Sequence, residues 1–182
     1  METDVADQPL DTGTGPPSFD DFYRREYPRL AVLATAVSGD PGWGEDLAQE
    51  ALTRAGQRWD RIAAYDNPGT WVRRVTINLA TSRRRRLRSE ARALLRLGPP
   101  DPVPGVTLHG DPAVWAAVAG LPPRQRAVIT LHYLEDRSVA DIADTLGISV
   151  SAATSNLHKA RTRLAASLGS SDDTPAAERS VR

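Results

Sequence analysis

Cysteine is missing altogether from the 182 residues. Disulfides, thiolate zinc sites and cysteine nucleophiles are therefore excluded. Aromatics are scarce at 5%, and apolar residues reach only 40%, below the usual globular share. Four Trp and four Tyr must anchor small cores, and a domain below about 80 residues has little core to spare. No apolar run approaches the ~18 residues of a membrane span. The start, Met1 to Pro17, is acidic without an apolar centre, which is not the pattern of a secretory signal. The expectation is a chain of the reducing cytoplasm with no membrane insertion. The three histidines, His109, His132 and His158, are scattered, and no Gly-rich phosphate loop or ligand cluster accompanies them. No metal, cofactor or catalytic group is expected.

The net charge of zero conceals a strong asymmetry. Residues 1–60 hold twelve acids and five bases, whereas residues 83–96, RRRRLRSEARALLR, hold seven Arg and one Glu. A neutral total argues against nucleic acid, but counterion release depends on local phosphate contacts, so a concentrated basic segment reverses that argument. By itself such a run is more often a solvated helix end.

Periodicity points to an all-α chain of two small helical domains. Residues 1–17 read as a disordered tail. Ser18 caps a first helix whose Phe19, Phe22, Tyr23, Tyr27, Leu30, Ala34 and Val37 recur at helical spacing, with Pro28 expected to kink it. Gly39 to Gly44 is a turn. A second helix carries Leu47, Ala48, Ala51, Leu52, Ala55 and Trp59 on one stripe. Asn67-Pro68 then opens a third, with Trp71, Val72, Val75 and Leu79 inward, running into the Arg cluster. Pro99, Pro100, Pro102 and Pro104 mark a linker over 97–110. It divides a first domain at 18–96 from a second at 111–169, and a disordered tail at 170–182 ends the chain. The second domain reads as four short helices, opened by Asp111-Pro112, Pro122-Pro123, Ser138 and Ser149.

Ser138 to Leu164, SVADIADTLGISVSAATSNLHKARTRL, has the form helix, tight turn, helix. Ala143 is small where two helices cross, and Gly147 supplies the left-handed residue that ends the first of them. This is the helix-turn-helix arrangement, whose second helix enters the major groove. Opposite the apolar stripe stand Thr154, Ser155, His158 and Lys159, with Arg161 and Arg163 further along. Polar groups there can reach base edges and basic ones phosphates. A plain helical hairpin in a bundle is the competing reading of this segment.

The two halves together resemble the sigma-70 family, and specifically its short extracytoplasmic-function group. In the first half the resemblance rests on Glu45-Asp46-Leu47-Ala48-Gln49-Glu50-Ala51-Leu52, Trp59, Asn67-Pro68 to Trp71-Val72, and Ile77-Asn78-Leu79-Ala80. In the second it rests on Leu121-Pro122-Pro123-Arg124-Gln125-Arg126, Ile142-Ala143 to Leu146-Gly147-Ile148, and Leu157-His158-Lys159-Ala160-Arg161. It spans residues 18–168, and the length leaves no room for the further regions of other sigma-70 groups.

The resemblance implies a non-enzymatic role with two partners, core RNA polymerase and promoter DNA, and allows an anti-sigma factor as a third. Region two of the family docks on clamp helices of the largest polymerase subunit; the matching positions are Asp46, Gln49 and Glu50. It also captures the melted minus-ten strand, which here implicates Asp66, Asn67, Arg73, Arg74, Asn78, Arg83, Arg84, Arg85 and Arg86. Asn67 has two readings, a base-edge contact or the cap of the third helix. Arg73, Arg74 and Asn78 are expected on the surface, whereas Trp59 and Trp71 are expected in the core. Region four reads the minus-thirty-five duplex, implicating Thr154, Ser155, His158, Lys159 and Arg161, and sets its other surface on the polymerase flap. Ser82, Arg83 and Arg84 depart from the acid and apolar residues that commonly follow Asn78-Leu79-Ala80. Thr154 and Asn156 stand where basic residues are usual. The competing function is a stand-alone helix-turn-helix regulator with a sensory or dimerising first domain.

Overall fold

The computed structural model describes residues 18–93, 108 and 110–169. The expected tails at 1–17 and 170–182, and all of the linker but Leu108 and Gly110, lie outside the described residues. Among the described residues every regular element is helical: α1 (Phe19–Ser38), α2 (Gly44–Gly56), α3 (Trp59–Ile62), α4 (Pro68–Ala93), α5 (Pro112–Gly120), α6 (Pro123–Tyr133), α7 (Val139–Leu146) and α8 (Val150–Gly169), with one 3-10 turn at Pro41–Trp43.

The helix starts follow the side chains that satisfy free backbone donors. The Ser18 hydroxyl accepts from the Asp21 amide at 3.2 Å, Asn67 Oδ1 from Thr70 at 3.1 Å, Asp111 from Ala113 at 2.8 Å and Ser149 from Ala152 at 3.1 Å. At Ser138 a reciprocal capping box forms with Asp141, satisfying two donors at once. Pro28 lies inside α1, where the periodicity places it, and the helix runs on to Ser38, with Leu30, Leu33, Ala34 and Val37 burying the half that follows. One detail differs from the sequence reading: Trp59 belongs to the separate one-turn α3, since Arg58 leaves helical backbone geometry at φ −136°. Its indole meets the rings of Phe19 at 5.4 Å and Phe22 at 4.7 Å, so it is packed against the core as expected.

Helix α1 packs on α2 and α4, and α8 crosses α5, α6 and α7. The two bundles do not stand apart. Helix α1 also touches α5 and α6, α4 touches α7, and buried side chains from Phe22 to Ala160 form one continuous apolar cluster.

Candidate nucleic-acid interface

In α7 and α8 the expected hairpin is realised by packing. Ile142 and Ala143 of α7 and Ala153, Leu157 and Ala160 of α8 are buried against each other and α6. Gly147 joins the helices at φ 62°, with the Gly147 and Ile148 amides donating to the last carbonyls of α7. Burial of that stripe turns Thr154, Ser155, His158, Lys159 and Arg161 to solvent. The Thr154 hydroxyl donates to the Val150 carbonyl at 2.9 Å. Arg161 is held by the Tyr133 hydroxyl at 2.8 Å and His132 Nε2 at 3.1 Å, its guanidinium 5.5 Å from the Tyr133 ring centre. The helix thus offers a short polar face flanked by a positioned cation, a composition suited to base edges and phosphates.

On α2, Leu47, Ala48, Ala51 and Leu52 are buried, while Asp46, Gln49 and Glu50 are exposed together. Glu50 pairs with Arg54 at 2.5 Å. Beside this face a groove of about 400 Å³ runs between α2 and α4, lined by Asp46 and Glu50 on one side and Arg83 and Arg86 on the other, with Trp43. The Arg83 guanidinium lies 5.4 Å from the Trp43 ring centre.

The minus-ten candidates are split rather than gathered. Asp66 and Asn67 are exposed at the start of α4, and Asn67 does cap that helix. Arg83 to Arg86 lie about 24 Å along the same helix, at 1.5 Å per residue, next to the α2 face. Arg73 corrects the expectation of a surface residue: its side chain is only 3% exposed, held between Glu26 at 2.9 Å and Glu135 at 2.7 Å. The cause is tertiary, since Glu135 arrives from the second bundle. Arg74 keeps 44% exposure but donates to the Thr145 carbonyl at 2.9 Å and to that of Asp144. Asn78 is exposed at the rim of a groove between the bundles. Arg84 donates to the carbonyls of Ser38 at 2.9 Å and Ala119 at 2.6 Å, whereas Arg85 and Arg86 are exposed. Sequence reasoning missed Glu26, Glu135 and the fully buried Arg126, which donates to Ser38 and Leu121 carbonyls at 3.4 and 3.1 Å. For Glu26 and Arg126 a charged residue among the apolar positions of a helix was the available signal; Glu135 follows the end of α6 and carried none.

Both bundles match a known family. Residues 22–90 match the model of sigma-70 region 2, and residues 112–164 that of sigma-70 region 4. The chain belongs to the sigma-70 family, in its extracytoplasmic-function group. It is 33% identical over 166 residues to RNA polymerase sigma-E factor of Streptomyces avermitilis, covering 90% of this chain and 93% of that one. It is 30% identical over 153 residues to ECF RNA polymerase sigma factor SigM of Mycobacterium tuberculosis, covering 84% and 78%. Its fold is like that of the sigma factor RpoE of Bartonella quintana, solved in complex with the anti-sigma factor NepR, with TM-score 0.66 and 23% identity over 82% of this chain and 98% of that one.

As a sigma factor the protein works with core RNA polymerase and promoter DNA. The region-2 match over the first bundle sets aside the stand-alone regulator. Among the described residues no helix is long and apolar enough to cross a membrane.

Proposed function

We propose that this sigma factor acts in the cytoplasm, without enzymatic chemistry, through two domains near 18–96 and 111–169. The α2 face of Asp46, Gln49 and Glu50 docks on the clamp helices of the largest polymerase subunit. Asp66 and Asn67, with Arg74, Asn78 and the buried Arg73 once region four has moved away, hold the minus-ten strand. Arg83 to Arg86 contribute basic charge further along α4. Melting requires only that single-stranded bases be bound better than paired ones. Helix α8 reads the minus-thirty-five duplex with Thr154, Ser155, His158, Lys159 and Arg161. The flap contact falls to the apolar groove between α5, α6 and α8, where Val114, Tyr133 and Leu134 stay exposed, since contiguous exposed apolar surface marks an interaction site. An anti-sigma factor, the partner in the Bartonella quintana complex, is a further partner.

The observation that carries this reading is the exposed polar face of α8, set opposite Ala153, Leu157 and Ala160 in helix-turn-helix geometry. Reconstituted holoenzyme, run on genomic DNA with sequencing of transcript starts, tests it. Starts preceded by two shared elements at constant spacing are expected. Starts no different from those of core enzyme alone would defeat it.

A further inference from the structure

The contacts between the two bundles have a shared chemistry. Helix C-termini carry carbonyls without intrahelical partners and a partial negative charge. Three arginines satisfy such carbonyls across the junction. Arg74 of α4 caps the end of α7 through Asp144 and Thr145. Arg84 of α4 bridges the ends of α1 and α5 through Ser38 and Ala119. Arg126 of α6 joins it on Ser38. Gly39 makes the approach possible: at φ 75° it tolerates the turn, and a Cβ there would lie 2.7 Å from the Arg84 guanidinium. The fourth contact is the triad Glu26–Arg73–Glu135, each side chain at most 7% exposed. Arg137 lies 4.0 Å from the same Glu135 oxygen.

We infer that region four masks region two by imitating nucleic acid: the Glu135 carboxylate and the α7 C-terminal carbonyls occupy Arg73 and Arg74 as phosphate oxygens would. This rests on the reading of those arginines as minus-ten contacts. The closed form cannot serve a promoter. Elements centred about 25 base pairs apart are roughly 85 Å apart at 3.4 Å per pair, whereas here α4 touches α7. The Arg73–Glu135 pair therefore breaks before a promoter is engaged, and a dominant closed state lowers apparent affinity for single strands by the fraction open. Removing Glu135 leaves Arg73 paired with Glu26, so the first bundle keeps its own ion pair.

The test uses the full chain and its lack of native cysteine. Dyes on cysteines introduced at the exposed Asp60 and Ala140 report the separation of the bundles by energy transfer, in the parent chain and with Glu135→Gln or Glu135→Arg added. Anisotropy with a pool of random-sequence single-stranded oligonucleotides reports binding, and circular dichroism reports helix content. With helices intact, both substitutions are expected to lower transfer and to tighten oligonucleotide binding about tenfold, the gain from opening a chain that is closed ten to one. Unchanged transfer in both folded variants overturns the latch. Lower transfer with unchanged oligonucleotide affinity overturns the masking claim through the minus-ten reading itself, and leaves Glu135 as a joint only.

Discussion

Replacing Gln49 and Glu50 together by alanine should separate polymerase docking from folding. Both side chains point to solvent from α2, so the structural cost is small. Glu50 loses one ion pair to Arg54, 2.5 Å long with its partners 49% and 52% exposed. A surface pair four residues apart on a helix contributes about 0.3–0.5 kcal/mol, and the better helix propensity of alanine offsets part of it. The net change in stability should stay within about 0.5 kcal/mol. Asp46 is left in place because it lies in the first turn of α2, where its charge complements the helix N-terminus. Docking should change far more. A hydrogen bond to a charged group contributes about 1.5–3 kcal/mol, and loss of about 2 kcal/mol weakens affinity for core polymerase ~30-fold. Titration of labelled protein with core enzyme, beside urea unfolding followed by circular dichroism, measures the two effects together. Affinity unchanged within threefold would refute the assignment of this face. A large loss of stability would refute the claim that the two side chains are structurally idle.

Other substitutions probe the second bundle and its reader helix. Lys159→Ala should weaken transcription from all promoters alike and lower the salt slope by about one if the lysine meets a phosphate. Ser155→Ala should relax preference at one position at a cost of about 1–3 kcal/mol if the hydroxyl meets a base; a library randomised across the minus-thirty-five element distinguishes the two, and no change from either would remove α8 as the reader. Ser138→Ala deletes a capping box and should cost about 1 kcal/mol in urea unfolding, whereas an unchanged midpoint would show that α7 is held by packing alone. Gly147→Ala has open space for its Cβ but a φ of 62°, so its cost of about 1–2 kcal/mol is purely conformational; an unaltered midpoint would mean that this turn is relaxed.

The sequence by itself determined what local chemistry controls. Helix starts at Ser18, Asn67, Asp111, Ser138 and Ser149 are side-chain caps that need only a few neighbouring amides. The turn at Gly147 needs only one residue free of a Cβ. The stripe of Ala153, Leu157 and Ala160, repeated at helical spacing, settles which face of α8 is buried and hence that Thr154, Ser155, His158 and Lys159 are exposed. The same logic exposes Asp46, Gln49 and Glu50. Only the tertiary structure decided the fate of the arginines of α4. Arg73 and Arg84 look no different in sequence from Arg83 and Arg85, because a guanidinium accepts a carboxylate, a helix-end carbonyl or a phosphate equally well. Which of these it meets depends on groups 35 to 71 residues away in the chain, namely Glu135, Thr145, Ser38 and Ala119. No local periodicity encodes such distant partners: they exist only once α1 has packed on α4 and α5, α6 and α7 have been laid against both.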